Sequence, residues 1–135
     1  MTSTLLLKQI TLIDGTGRPP QEQVVLAIRK QRIAYIGPET AWKAEPDEVV
    51  TVLDLPGRYV LPGLIDCHVH LACDAAPDSR LQGDIGWTTL LMLKHAQNSL
   101  AAGITTVRDV GGRYMQEFLV RRAIESSLWA GPRMQ

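Results

Sequence analysis

Two histidines, His68 and His70, stand two positions apart near the end of the stretch Leu61-Pro62-Gly63-Leu64-Ile65-Asp66-Cys67-His68-Val69-His70-Leu71. The stretch is predicted as a strand. Side chains on a strand alternate between faces, so Leu64, Asp66, His68 and His70 share one face and Ile65, Cys67, Val69 and Leu71 the other. The first face turns polar towards its C-terminal end and finishes in two imidazoles. Leaving the same side of a short rigid segment, they can converge on one metal ion; zinc and similar ions take neutral imidazole nitrogen at about 2.0–2.1 Å. The second face is apolar and is expected to be covered. A parallel strand of an α/β barrel needs this arrangement, with helices against one face, a lumen on the other and chemistry at the C-terminal rim.

Cys67 and Cys73 flank the histidines. A compact zinc knot of Cys67, His68, His70 and Cys73 is one way to read them. A strand turns Cys67 away from both histidines, and structural zinc usually draws its ligands from two separated pairs. The better reading is a buried Cys67 packed as a small apolar residue. Two cysteines are also few for a disulfide scaffold.

The elements that must position this strand follow in chain order. Residues 5–13 and 23–29 are rich in β-formers, with a Gly/Pro loop from Asp14 to Pro20 between them. Gln31-Arg32 is read as a turn into Ile33–Ile36, which Gly37-Pro38 stops, and Glu48–Leu53 as a fourth strand. Several short strands at close spacing predict a small sheet or half-sandwich. The polar segment Ala72–Gly83, with Asp74, Pro77, Asp78 and Ser79, is read as a βα-loop at a barrel rim or as a plain solvated connection. From about Trp87 to Ala102 the pattern turns helical, with Leu90, Leu93, Ala96 and Leu100 on one face and Gly103 as the stop. Ile104–Val110 is a short β-branched strand, and Gly111-Gly112 opens a loop. Tyr114–Leu128 is a second amphipathic helix through Met115, Leu119, Val120, Ala123, Ile124 and Leu128, ended by Gly131-Pro132. Strand, loop, helix, strand, loop, helix is the order that builds a parallel sheet.

Composition bounds the function classes. The chain has 135 residues, 45% apolar and 21% charged, with 14 basic and 14 acidic side chains. Zero net charge gives no sign of electrostatic binding to nucleic acid or to an anionic membrane. No apolar run approaches the roughly 18 residues of a membrane span. The N-terminus has no basic region and too short an apolar run for a signal peptide, so a cytoplasmic site is expected.

Pro62-Gly63-Leu64-Ile65-Asp66-Cys67-His68-Val69-His70-Leu71 resembles the PGxIDxHxH signature of the amidohydrolase superfamily. The run Ala101 to Gly112, with Gly131-Pro132-Arg133 after the next helix, is similar to the branch holding imidazolonepropionase-like enzymes and Xaa-Pro-type dipeptidases. The resemblance implies metal-dependent hydrolysis of carbon–nitrogen bonds, amide or cyclic amide, with a metal-activated water. It implies an α/β fold: an N-terminal β-sandwich segment over residues 1–58, then the first two βα units of an incomplete (β/α)8 TIM barrel over 59–135. His68 and His70 would hold a divalent metal, zinc by preference. The substrate would be a small amide or dipeptide-like molecule, with no nucleic acid and no membrane as partner.

Asp66 would brace the strand end or accept an outer hydrogen bond; the other reading is a structural acid beside a turn. Asp109 and Arg113 would line the pocket, or be spent on a loop salt bridge or solvent. His95, on the first helix, is read as a surface or packing residue. In the family a lysine or acid on a middle strand, two later histidines and a last-strand aspartate complete the site. Such a barrel needs roughly 250 residues, so the chain is expected to need a C-terminal segment or oligomerisation, and the strand Ile104–Val110 to show an open edge. The alternative is a truncated or degenerate relative without activity, an interaction module or remnant.

Overall fold

The computed structural model describes residues 3–73 and 84–135, and of Arg113 the backbone alone. The chain forms two compact units, Met1–Pro62 and Gly63–Gln135.

The first unit is built on β1 (Ser3–Leu12), β2 (Gln21–Arg29), β3 (Arg32–Pro38), β4 (Val49–Asp54) and β5 (Tyr59–Val60). They form one five-stranded mixed sheet in the order β3-β2-β1-β4, with β5 also paired to β1. β1 runs antiparallel to β2 and parallel to β4 and β5. The reason β2 is central is its run Val24-Val25-Leu26-Ala27, all four buried. Continuous rather than alternating apolar residues suit a strand covered on both faces. Val24 and Leu26 pack with Ile10 and Leu12, whereas Val25 and Ala27 pack with Leu6. Alternation places these two clusters on opposite sides of the sheet. Lys30 and Gln31, both with positive φ (49° and 61°), make the tight turn into β3. Pro38 is the last residue of β3 rather than a stop outside it; an edge strand tolerates proline because one side of its ladder is unpaired. The β-sandwich expected here is, among the described residues, this single sheet.

The second unit alternates β6 (Leu64–Val69), α1 (Ile85–Ala101), β7 (Ile104–Asp109), α2 (Gln116–Glu125) and β8 (Arg133–Met134). The strands are parallel in the order β6-β7-β8. At the start of β6 the Thr105 side chain lies so close over Gly63 that a Cβ there would overlap it. Asp84 caps α1, its carboxylate accepting from the Trp87 N–H at 2.7 Å. Gly103, at φ +89°, ends it as expected. Met92 and Ala96 of α1 close over Val107 of β7, joined by Leu71, Val120 and Met134.

Four expectations are corrected. The buried face of α1 is centred on Met92 and Ala96, and Leu90 is 61% exposed. At about 100° per residue Leu90 stands about 160° round the helix from Met92, so the expected stripe holds at Leu93 and Ala96, which meet the core, and fails at Leu90. α2 is shorter than Tyr114–Leu128. Tyr114 and Met115 hold positive φ (60° and 54°) before it and Ser127 (59°) after it, so Val120 and Ile124 reach the core while Met115 and Leu128 stay exposed. Ile65 and Cys67 are not covered: α1 packs on β7 and α2 on β8, and only from Val69 onward does the apolar side of β6 meet the core. The open edge expected on Ile104–Val110 is paired, because Arg133-Met134 adds β8 beside it. Among the described residues no helix is long and apolar enough to cross a membrane.

Candidate metal site

His68 lies in β6 and His70 directly after it. Their ring centres are 5.4 Å apart and the planes meet at 76°. An imidazole nitrogen about 2.0–2.1 Å from zinc puts the ring centre about 3 Å from the ion, so two rings on one tetrahedral ion stand about 5 Å apart. Both histidines are exposed, so no packing blocks their approach to a ligand.

The strand is locally irregular at this point. Pairing runs from Asp66↔Val107 to Val69↔Asp109, so β6 carries one more residue than β7 across the interval. Such a bulge re-aims side chains at the end of a strand. Asp66 holds it, Oδ1 accepting from the His68 N–H at 3.0 Å. This bond to the backbone two residues on fits both readings of Asp66, the brace at the strand end and the structural acid beside a turn.

His70 is oriented by its other nitrogen. Nδ1 is 2.8 Å from the Gly111 carbonyl oxygen, which can only accept, so Nδ1 carries the proton and Nε2 is the free nitrogen. A ligating histidine usually shows this arrangement, with one ring N–H spent on a carbonyl or carboxylate. The pair therefore fits a divalent ion in donor type and spacing, and His70 also in tautomer.

Asp109 ends β7 and borders a hollow of about 360 Å³ with Arg108, Gly111, Glu117 and Arg121. Its Oδ1 accepts from the Gly111 N–H at 3.1 Å and its Oδ2 from the Leu71 N–H at 3.4 Å. Arg113 lies in a 3-10 turn, Arg113–Met115. His95 is half-buried, its Nδ1 donating to the Leu71 carbonyl at 2.8 Å, which ties α1 to the end of β6. It borders an open hollow of about 340 Å³ with His70, Leu71, Cys73 and Asn98. Cys67 and Cys73 are both free thiols. Among the described residues no three His, Cys, Asp or Glu side chains gather as a metal cluster, so the four-residue knot is not formed. The expected rim-loop residues Asp74, Pro77, Asp78 and Ser79 lie outside the described residues.

Gly111 is the contributor that the residue pattern hid, because it acts through its carbonyl. The available signal was an aspartate two residues before a glycine at a strand end, the spacing of an Asx turn.

The profile described as the Amidohydrolase family matches residues 59–135. An adenine deaminase of Rubrobacter xylanophilus is 35% identical over 71 residues, 53% of this chain and 11% of that protein. An imidazolonepropionase of Rhizobium meliloti is 46% identical over 50 residues, 37% of this chain and 12% of that one. A solved Xaa-Pro dipeptidase with bound methionine in its active site superposes with a TM-score of 0.82 at 28% identity, covering 97% of this chain and 32% of the dipeptidase. The matches thus span about an eighth or less of these curated relatives and a third of the solved chain. The signature through His68 and His70 falls inside the matched stretch, and the chain belongs to the amidohydrolase family.

Proposed function

We propose that this chain is the N-terminal part of a metal-dependent amidohydrolase that hydrolyses a carbon–nitrogen bond, amide or cyclic amide, in a small dipeptide-like or amide substrate. The observation that carries the proposal is the pair of exposed imidazoles 5.4 Å apart, one with its tautomer set by the Gly111 carbonyl. Family membership supports it. In this reading residues 1–58 are a partial sandwich, 59–135 open a (β/α)8 barrel, and a C-terminal segment or oligomerisation completes the molecule; the greater length of the relatives supports that.

His68 and His70 would hold a divalent ion, most simply zinc. Once bound, such an ion supplies Lewis acidity towards a carbonyl-type carbon and a water that ionises near neutrality. The chain's own residues do the rest of the local work. Asp66 fixes the bulge from which the two rings emerge. The Gly111 carbonyl retains the proton on Nδ1 of His70, so its Nε2 lone pair stays available.

A second reading, a non-catalytic relative serving as an interaction module or remnant, is favoured by ligand number. A catalytic zinc normally takes three protein ligands and an open position, and no cluster of three forms among the described residues. Zinc calorimetry on the chain and on a His68→Ala/His70→Ala double variant tests the first reading. Weak binding that the double variant loses is expected; submicromolar binding that survives it refutes the assignment. The mass of the native protein separates the two readings, since a longer product with further His and Asp residues is the enzyme.

A further inference from the structure

We propose that Asp109 is a positioning residue for His70, acting through the backbone on both sides of it. The inference rests on the reading of His68 and His70 as metal ligands and extends that site by one residue.

His70 is bracketed by two peptide groups that Asp109 holds. Leu71, the next residue, donates its N–H to Oδ2 at 3.4 Å. Gly111, whose carbonyl takes the His70 Nδ1–H at 2.8 Å, donates its own N–H to Oδ1 at 3.1 Å. One carboxylate therefore ties the strand end that carries the ring to the turn that orients it. A neutral acceptor with a single oxygen cannot serve both donors from opposite ends, and a carboxylate can. The turn itself is specialised. Gly111 sits at φ +117°, a conformation that L side chains rarely adopt. The peptide 109–110 is also anchored to β6, the Val110 N–H donating to the Val69 carbonyl at 3.0 Å. Hydrogen bonds from backbone N–H to an ionised carboxylate are stronger than neutral ones of the same geometry, and Asp109 is the one charged group among these ties. His68 has no part in the bracket. Its backbone is held by Asp66 on its own strand.

This difference between the two histidines gives the test. Ring-nitrogen NMR on the metal-free full chain reports the tautomer of each, and zinc calorimetry reports affinity. In Asp109→Ala the His70 ring is expected to lose its single Nδ1–H tautomer while the His68 signals stay in place. Zinc affinity is expected to fall by about 10–100-fold, the usual effect of removing an outer hydrogen-bond partner. Asp109→Asn keeps one oxygen for the nearer Gly111 N–H. It should preserve the His70 tautomer and release the Leu71 amide to faster hydrogen exchange.

An unchanged His70 ring in Asp109→Ala overturns the proposal. So does a change that moves both histidines together, because that is a general structural loss. If Asp109→Ala does not fold, Asp109→Asn decides: a Leu71 amide that exchanges as in the unsubstituted chain overturns the bracket. Failure of the underlying metal reading looks different, since zinc would then not bind the unsubstituted chain at all while His70 still responded to Asp109.

Discussion

Individual residues carry most of what is specific to this chain. Gly63 is required for want of space: any Cβ there would run into Thr105 of the neighbouring strand. The overlap reaches the Cβ of Thr105, which rotation of that side chain does not move. Gly63→Ala is expected to lower stability by about 1–3 kcal/mol, the usual scale of overpacking; a thermal melt unchanged by the substitution would show that the strands can part. A second residue-level prediction concerns Glu48. The Arg29 guanidinium hydrogen-bonded to it at 2.6 Å, the Thr4 hydroxyl and the Glu45 N–H hold its carboxyl down at about 2, against an ordinary 4.5. The folded state thus favours the ionised form. The stability this contributes is complete above the ordinary value and is lost as pH falls through about 2. Denaturant unfolding followed across that window should show the loss in the unsubstituted chain and a flatter dependence in Glu48→Gln.

At the scale of elements, what decides a helix is its cap and which of its stripes meets a sheet. Asp84 satisfies the Trp87 N–H at the start of α1, and Asp84→Ala is expected to cost about 1 kcal/mol. Urea unfolding measures it; an unchanged midpoint would mean that packing alone sets where α1 begins. The capping glycine Gly103 was legible in the sequence because a left-handed position after a helix nearly demands glycine. Of the buried stripe of α1, Leu93 and Ala96 were legible and Met92 was not. Leu90 and Met92 are both apolar, and the choice of Met92 belongs to the neighbours Val107 and Leu71 that it meets. Likewise β8 is only Arg133-Met134, too short to carry a periodicity. It exists because β7 offers it a ladder.

For the whole chain, the balance of covered and uncovered apolar surface matters most. Leu64, Ile65, Leu90, Met115 and Leu128 are each more than half exposed. β6 and β8 end the three-stranded sheet with unpaired edges among the described residues, and open edges recruit other strands. Each large apolar side chain left in water forgoes roughly 1.5–3 kcal/mol, while a domain's net stability is only about 5–15 kcal/mol. The 135-residue chain by itself is therefore expected to associate or to melt broadly. Sedimentation and thermal unfolding at several concentrations check this. A sharp, concentration-independent melt from a clean monomer would establish self-sufficiency and remove the argument for further covering segments.

The sequence by itself determined the alternation of strands and helices after Pro62, the strand bearing the two histidines, and the family, because those rest on local pattern: period two in a strand, glycine and proline at the breaks, and one short signature. Spacing along a strand also predicted that His68 and His70 share one side, and the structure brings their rings to 5.4 Å. The tertiary structure alone decided how they are held. The extra residue in β6 across from β7, the reach of Asp109 to Leu71 and the Gly111 carbonyl against His70 Nδ1 all join segments about forty residues apart. No local pattern records such a bond, because its partners are backbone groups that every residue possesses and only the fold brings together.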